Sequence, residues 1–418
     1  MKERVVITGL GAVTPMGNDV ATMWDGLLNG RSGIDHARQF DTSDLEVRIA
    51  AEVKDFDARK RLGRRAVRRN DRFALFALEA AREAVADADL SFDSAGDGVR
   101  EQVGVLVGTG IGGVLTLLAE YDVLKERGPE RVSPFMIPKL MPNAASAAIA
   151  IDHDLHGPNF SLSSACATGS HAIGEAAGMI QRGLANVMIC GGADAGTHPL
   201  SVSAFANMKA VSTRNDEPKR ASRPFDADRD GFVLGEGAGI LILEGLDHAL
   251  ARGARIRGEL IGYGATSDAY HIAAPAESGE GAARAMGMAL RDAGLAPRDV
   301  DYVNAHGTST QLNDPIETEA IRRVFGEHAD KLPVSATKSM MGHLMGAAGA
   351  VEGITCIRSL ETGWVHATVN YETPDPACDL DYVPNEPRQL KPRVILSNSF
   401  GFGGHNACVL FRRWEGER

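Results

Sequence analysis

The chain has 418 residues, 44% hydrophobic and 24% charged, with a formal net charge of −11. That composition belongs to a folded globular protein with room for one large domain or two to three ordinary ones, and excludes a disordered chain. The acidic balance argues against nucleic acid as a partner, and no apolar run approaches the roughly 18 residues a membrane-crossing helix requires.

From the N-terminus, Met1-Lys2-Glu3-Arg4 runs straight into Val5-Val6-Ile7 with no signal-peptide pattern, so a cytoplasmic location is expected. Short apolar runs then alternate with Ala-rich stretches, the signature of an α/β protein. The patterning predicts strands at 4–7, 103–107, 187–190, 239–243, 259–263, 302–304 and 394–397, and helices at 72–87, 168–182, 281–293, 314–325 and 347–362. Residues 59–72 hold eight basic residues and one acid. Arg61, Arg64, Arg65, Arg68, Arg69 and Arg72 follow helical spacing, so they read as one stripe. Like charges one turn apart repel, which makes an acidic macromolecular partner a better explanation than a bare solvated face. Residues 212–231, with Asn215-Asp216-Glu217-Pro218 and Arg223-Pro224-Phe225-Asp226, read as a long surface loop.

Three segments recur in order. The strand and Gly/Thr turn after Val103 resemble those after Val300. The small-residue helix after Cys166 resembles the one after His343. Glycines lead into a final strand at 231–243 and again at 401–411. Two similar halves are expected, 1–255 with Cys166 and 256–418 with His306 and His343.

The cysteines Cys166, Cys190, Cys356, Cys378 and Cys408 are odd in number and form no C-x-x-C pair, against a disulfide framework or structural zinc. Cys166 differs from the rest. It stands in Ser163-Ser164-Ala165-Cys166-Ala167-Thr168-Gly169, where apolar and small residues lead into a small-residue helix. A thiol at such a turn meets a helix N-terminus, which favours the thiolate. Asn304-Ala305-His306-Gly307-Thr308-Ser309-Thr310 puts a histidine on the turn after a strand, beside hydroxyls suited to a polar ligand. Lys338-Ser339-Met340-Met341-Gly342-His343 places a second histidine before another small-residue helix, which carries Glu352. Ser397-Asn398-Ser399-Phe400-Gly401-Phe402-Gly403-Gly404 surrounds an aromatic with glycines.

With these motifs in order, the chain resembles the β-ketoacyl-acyl-carrier-protein synthases, most closely the type II elongating condensing enzymes, from Val5 to Leu410. The resemblance implies an α/β thiolase fold, two similar halves layered α-β-α-β-α, and a homodimer. It implies decarboxylative condensation of acyl- with malonyl-carrier protein in fatty acid elongation, with no required cofactor. Cys166 would carry the acyl chain, and His306 and His343 would hold the malonyl thioester. Lys338 and Glu352 would fix that network. The N–H groups of Cys166 and Phe402 would form an oxyanion hole. Ile111, Phe205 and Phe402 match the acyl pocket and its gate, and Thr308 and Thr310 match the contacts to the phosphopantetheine arm. Arg65, Arg68, Arg69 and Lys209 match the face that receives acidic acyl carrier protein. Asn304, Glu352, Ser397 and Asn398 match a structural monovalent cation site. One departure is that Ala273 and Ala274 stand where the family commonly carries hydroxyls. Type I and polyketide ketosynthases share the Cys-His-His set and are separated only by overall likeness. The non-catalytic chain-length partner lacks the nucleophile, the initiating synthases use Cys-His-Asn, and a cysteine hydrolase would need an orienting carboxylate for a single base.

Overall fold

Strand-forming runs rich in Val, Ile and Leu, without polar alternation, are suited to burial on both faces. In the computed structural model, which describes residues 2–92 and 97–416, they build a ten-stranded sheet. The first five strands are β1 (Val5–Val13), β2 (Val103–Gly108), β3 (Asn159–Phe160), β4 (Val187–Asp194) and β5 (Gly237–Gly245). The second five are β6 (Gly258–Ser267), β7 (Tyr302–Asn304), β8 (Val334–Ser335), β9 (Val394–Gly401) and β10 (His405–Arg412). From the centre outward, one half runs β1-β5-β4-β2-β3 and the other β6-β10-β9-β7-β8.

The two orders are the same order. Each half pairs its corresponding strands parallel (β2 with β3 and β4, β7 with β8 and β9) and its two long strands antiparallel (β4 with β5, β9 with β10). The halves join where β1 runs antiparallel to β6, Val5 opposite Leu260. The three recurring segments fall on β2 and β7, on the helices after Cys166 and His343, and on β5 and β10.

The helices used below are α1 (Ala58–Arg69), α2 (Arg72–Asp87), α3 (Val114–Arg127), α4 (Ala144–His153), α5 (Thr168–Gln181), α6 (Glu280–Ala293), α7 (Asn313–Phe325) and α8 (Ala348–Thr362). Strand alternation sorts the core into layers. Ile240 and Ile242 of β5 pack outward with Phe73 and Phe76 of α2 and Ile149 of α4. Leu241 and Leu243 point inward, to Ile173 of α5 and Val351 and Ile354 of α8, with Ile395 and Phe411 closing the cluster from the other half. Leu396 and Leu410 face outward again, to Met286 of α6 and Ile321 of α7. The result is the expected α-β-α-β-α arrangement, with α5 and α8 sandwiched between the sheet halves.

The small residues after Cys166 and His343 have a packing reason. A Cβ on Gly169 would lie 2.5 Å from the Ala350 nitrogen, and one on Gly349 2.4 Å from Ser170 Oγ. Only glycines let the two central helices approach this closely.

Two expectations change. Residues 212–231 are not a surface loop throughout, because Arg223, Phe225, Asp226 and Arg229 are buried. Phe225 stacks on Tyr382 with ring centroids 3.9 Å apart, while Arg223 and Asp226 pair at 3.0 Å. The arginine stripe is also broken. Gly63 has φ 83° and interrupts α1, Arg61 turns to Glu79, and Arg72 grips buried Glu236. Arg64, Arg65, Arg68 and Arg69 remain exposed past the break. No helix among the described residues is long and apolar enough to cross a membrane.

Candidate active site

Cys166 sits in a tight turn, Ala165–Ala167, that runs directly into α5. Ala165 holds φ 51°, in the left-handed region that side chains disfavour. At the corresponding turn before α8, Met345 also holds φ 51°. The sharp turn lifts the cysteine to the end of the sheet, where β9 ends beside it. Gly401 permits this approach, since a Cβ there would come within 3.0 Å of the Cys166 nitrogen.

Cys166, His306, His343, Thr308, Thr310 and Phe402 line one cavity of about 630 Å³, with Lys209 also contributing to its wall. The main-chain N–H groups of Phe402 and Cys166 lie near the Cys166 sulfur and favour its charged form. That is the donor pair expected of an oxyanion hole. The expected net preference for thiolate is reversed, however. Burial pushes the Cys166 thiol up to about 11, outweighing Lys338 and the two N–H donors, which pull it down.

The two histidines stand against each other with ring centroids 5.6 Å apart. Each is almost wholly buried, and both are held well below the usual histidine range by burial and by nearby Lys338. Both rings are therefore neutral at physiological pH. His343 Nδ1 accepts the Met345 N–H at 3.1 Å, so its proton sits on Nε2. That Nε2 is a buried donor without a partner, as His306 Nδ1 is a buried nitrogen without one. Unpaired buried polar atoms cost roughly 1–3 kcal/mol each, a penalty that a bound ligand oxygen would relieve.

A buried frame fixes the pair. Lys338 Nζ donates to the His306 carbonyl at 2.6 Å and forms an ion pair with Glu352. Burial raises the Glu352 carboxyl. The main chain of His343 is gripped between Val233 and Gly235, through bonds of 2.7 and 2.9 Å.

Two carboxylates missed in the sequence complete this frame. Glu317 accepts the N–H groups of His306 and Gly307, each at 2.8 Å, and burial raises it to about 7. Asp194, at the end of β4, accepts from Gly110, Ile111, Thr109 Oγ1 and Gly346. It thereby ties the turn after β2 to the turn before α8, and burial raises it to about 6. The available signals were an acid closing an otherwise apolar strand, for Asp194, and an acid on the helix that follows the His306 turn, for Glu317.

Other expected residues divide. Phe205 packs with Cys166 in a common cluster and lies 6.5 Å from the Phe402 ring. Ile111 is not among the cavity's lining residues; it lies against Gly196, its main chain held by Asp194. Thr308 and Thr310 bond each other at 2.9 Å. Arg65, Arg68 and Arg69 are exposed on α1, the last two with guanidiniums 5.3 and 5.9 Å from the Phe135 ring centre. Lys209 reaches Glu46 at 3.3 Å. Of the expected cation ligands, Asn304 and Ser397 approach each other at 3.4 Å. The Asn398 side chain points to the opposite face of β9, bonded to Glu317 and Cys408. Among the described residues, no group of three or more His, Cys, Asp or Glu is placed to hold a metal ion.

Known proteins are similar to this chain in sequence and fold. Residues 2–249 match the family model for the β-ketoacyl synthase N-terminal domain, and residues 257–372 match the C-terminal domain model. A Synechocystis protein named 3-oxoacyl-(acyl-carrier-protein) synthase 2 is 51% identical over 414 residues, covering 99% of both chains. A β-ketoacyl synthase from Burkholderia phymatum superposes with TM-score 0.91 at 38% identity, over 99% of this chain and 100% of that one. A type II polyketide ketosynthase, solved in complex with its acyl-carrier protein, gives TM-score 0.91 at 33% identity with the same coverage. On sequence and architecture alike, this chain belongs to the β-ketoacyl synthase family.

Proposed function

We propose that the protein condenses an acyl chain with a malonyl unit, both delivered by acyl carrier protein, to elongate fatty acids. One observation carries the reading: a cysteine whose sulfur faces two backbone donors shares a cavity with two neutral, buried histidines that have unpaired ring nitrogens. Curated relatives at about half identity carry the name of that activity.

Cys166 Sγ, its proton lost to solvent, attacks the acyl thioester carbonyl. The N–H groups of Cys166 and Phe402 hold the oxyanion until it collapses and expels the carrier thiolate, which takes up a proton. The malonyl thioester oxygen then binds between His306 and His343. As the carboxylate departs as carbon dioxide, its bonding electrons pass into an enolate stabilised by the two histidines. The enolate carbon attacks the acyl-Cys166 carbonyl. Collapse of that intermediate expels the Cys166 thiolate and releases the β-ketoacyl product. Lys338, Glu352 and Glu317 position the histidines and need not touch substrate.

No cofactor enters these steps. A structural monovalent cation would find Glu352 Oε2, buried without a partner, with Asn304 and Ser397 on the same inner face. Asn398 could offer only its main chain. The reading includes a homodimer, supported by the open edge of the sheet at β3 and by exposed Tyr121, Ile137, Ile151 and Phe160 around it. Purified protein given acyl- and malonyl-carrier protein should yield a β-keto product two carbons longer, detected by mass. Cys166→Ser should yield none and show no acyl adduct, because an unassisted serine hydroxyl is barely ionised. An adduct persisting on that variant would remove Cys166 from the role.

A further inference from the structure

The tautomer of His343 depends on a turn that His343 does not hold by itself. Met345 presents its N–H to His343 Nδ1 at 3.1 Å, but it does so from the left-handed region, at φ 51°. Such backbone is strained for a residue with a side chain and persists only where its surroundings hold it. The next N–H along the chain, that of Gly346, goes to Asp194 Oδ2 at 2.6 Å. Only a glycine can come so close, because a Cβ there would lie 2.6 Å from the same oxygen. Asp194 is in turn well fixed. It is wholly buried at the end of β4, opposite Gly237 of β5. Thr109 Oγ1, Gly110 N–H and Ile111 N–H donate to it at 2.8, 2.8 and 3.1 Å. An ionised carboxylate has only acceptor atoms, so it serves all of these donors and Gly346 together. Asp194 is not among the residues lining the Cys166 cavity, whereas His343 and Met345 are.

We propose that Asp194 is a positioning residue for decarboxylation: by holding Gly346 it keeps the Met345 N–H on His343 Nδ1, and so keeps the His343 proton on Nε2, ready for the thioester oxygen. The inference rests on the condensing reading above and extends it to a residue that touches no substrate.

Asp194→Ala removes the anchor. Asp194→Ser, which fills more of the space yet falls short of Gly346, takes its place if the alanine variant does not fold. The first readout is the ¹⁵N signal of His343 Nδ1 in histidine-labelled protein, assigned by its loss in His343→Ala. Wild type should show an unprotonated, hydrogen-bonded nitrogen, and the variant a shifted signal from a ring exchanging between tautomers. The second is carbon dioxide release from malonyl-carrier protein, beside Cys166 acylation by acyl-carrier protein. Loss of one neutral hydrogen bond at His343 predicts release about tenfold slower. Acylation should hold or quicken, because the Asp194 charge disfavours the nearby Cys166 thiolate. General damage to the fold would instead slow both steps. An unmoved Nδ1 signal, unchanged release, or an equal loss in the two steps would overturn the role of Asp194. If wild-type protein releases no carbon dioxide, the condensing reading fails, while the anchoring of His343 still stands or falls on the Nδ1 signal.

Discussion

At Cys166, two physical effects oppose each other. A helix end, two N–H donors and Lys338 favour the thiolate, whereas burial favours the thiol and prevails, raising it to about 11. Alkylation by iodoacetamide should therefore accelerate about tenfold per pH unit from 7 to 10, following the thiolate fraction. A plateau by pH 8 would mean that the helix end and Lys338 win. The local turn of Cys166 was legible in its neighbours. The depth of its burial was not, because that comes from residues such as Phe232 and Met345, distant in sequence. The same distance hid Asp194, whose partners at 109–111 and 346 belong to different halves.

Among the elements, α1 shows where periodicity misleads. Six arginines at helical spacing predict one stripe, but a glycine at φ 83° breaks α1, Arg61 pairs with Glu79, and Arg72 begins a separate helix, α2, where it pairs with Glu236. Arg65, Arg68 and Arg69 remain available to an acidic carrier protein. Replacing all three with Glu should weaken carrier-protein binding and flatten its salt dependence, measured by titration at several ionic strengths. Turnover of a free pantetheine thioester should hold. Equal losses with both substrates would indicate a structural role, to which the Phe135 contacts of Arg68 and Arg69 contribute roughly 0.5–1 kcal/mol each. The helices α2, α5, α6, α7 and α8 were legible because each buries a continuous apolar or small-residue face. The helix α3 was missed. Leu117, Tyr121 and Leu124 leave it with apolar residues in solvent instead of a clean amphipathic stripe.

Across the whole molecule, the site exists only because the halves meet. The first half supplies Cys166 at the turn before α5, and the second supplies both histidines and the Phe402 N–H. The repeat was legible from three motif pairs, while the shared strand order required long-range pairing. The exposed apolar surface around β3 predicts two chains in solution, and Ile151→Asp with Phe160→Asp should shift the sedimenting mass from two chains to one. An unchanged mass would place any dimer contact elsewhere. The division of labour between the halves has the most direct consequence. On the proposed mechanism, acylation draws on Cys166 and backbone donors, whereas decarboxylation draws on His306 and His343. Loss of one oxyanion donor costs about 2.7–4 kcal/mol, or roughly 10²–10³ in rate. The decisive measurement is carbon dioxide release from malonyl-carrier protein, beside acyl-enzyme formation, for His306→Ala and His343→Ala. Each variant should lose at least about a hundredfold in carbon dioxide release while Cys166 is still acylated; release at the wild-type rate by either would contradict the two-histidine account.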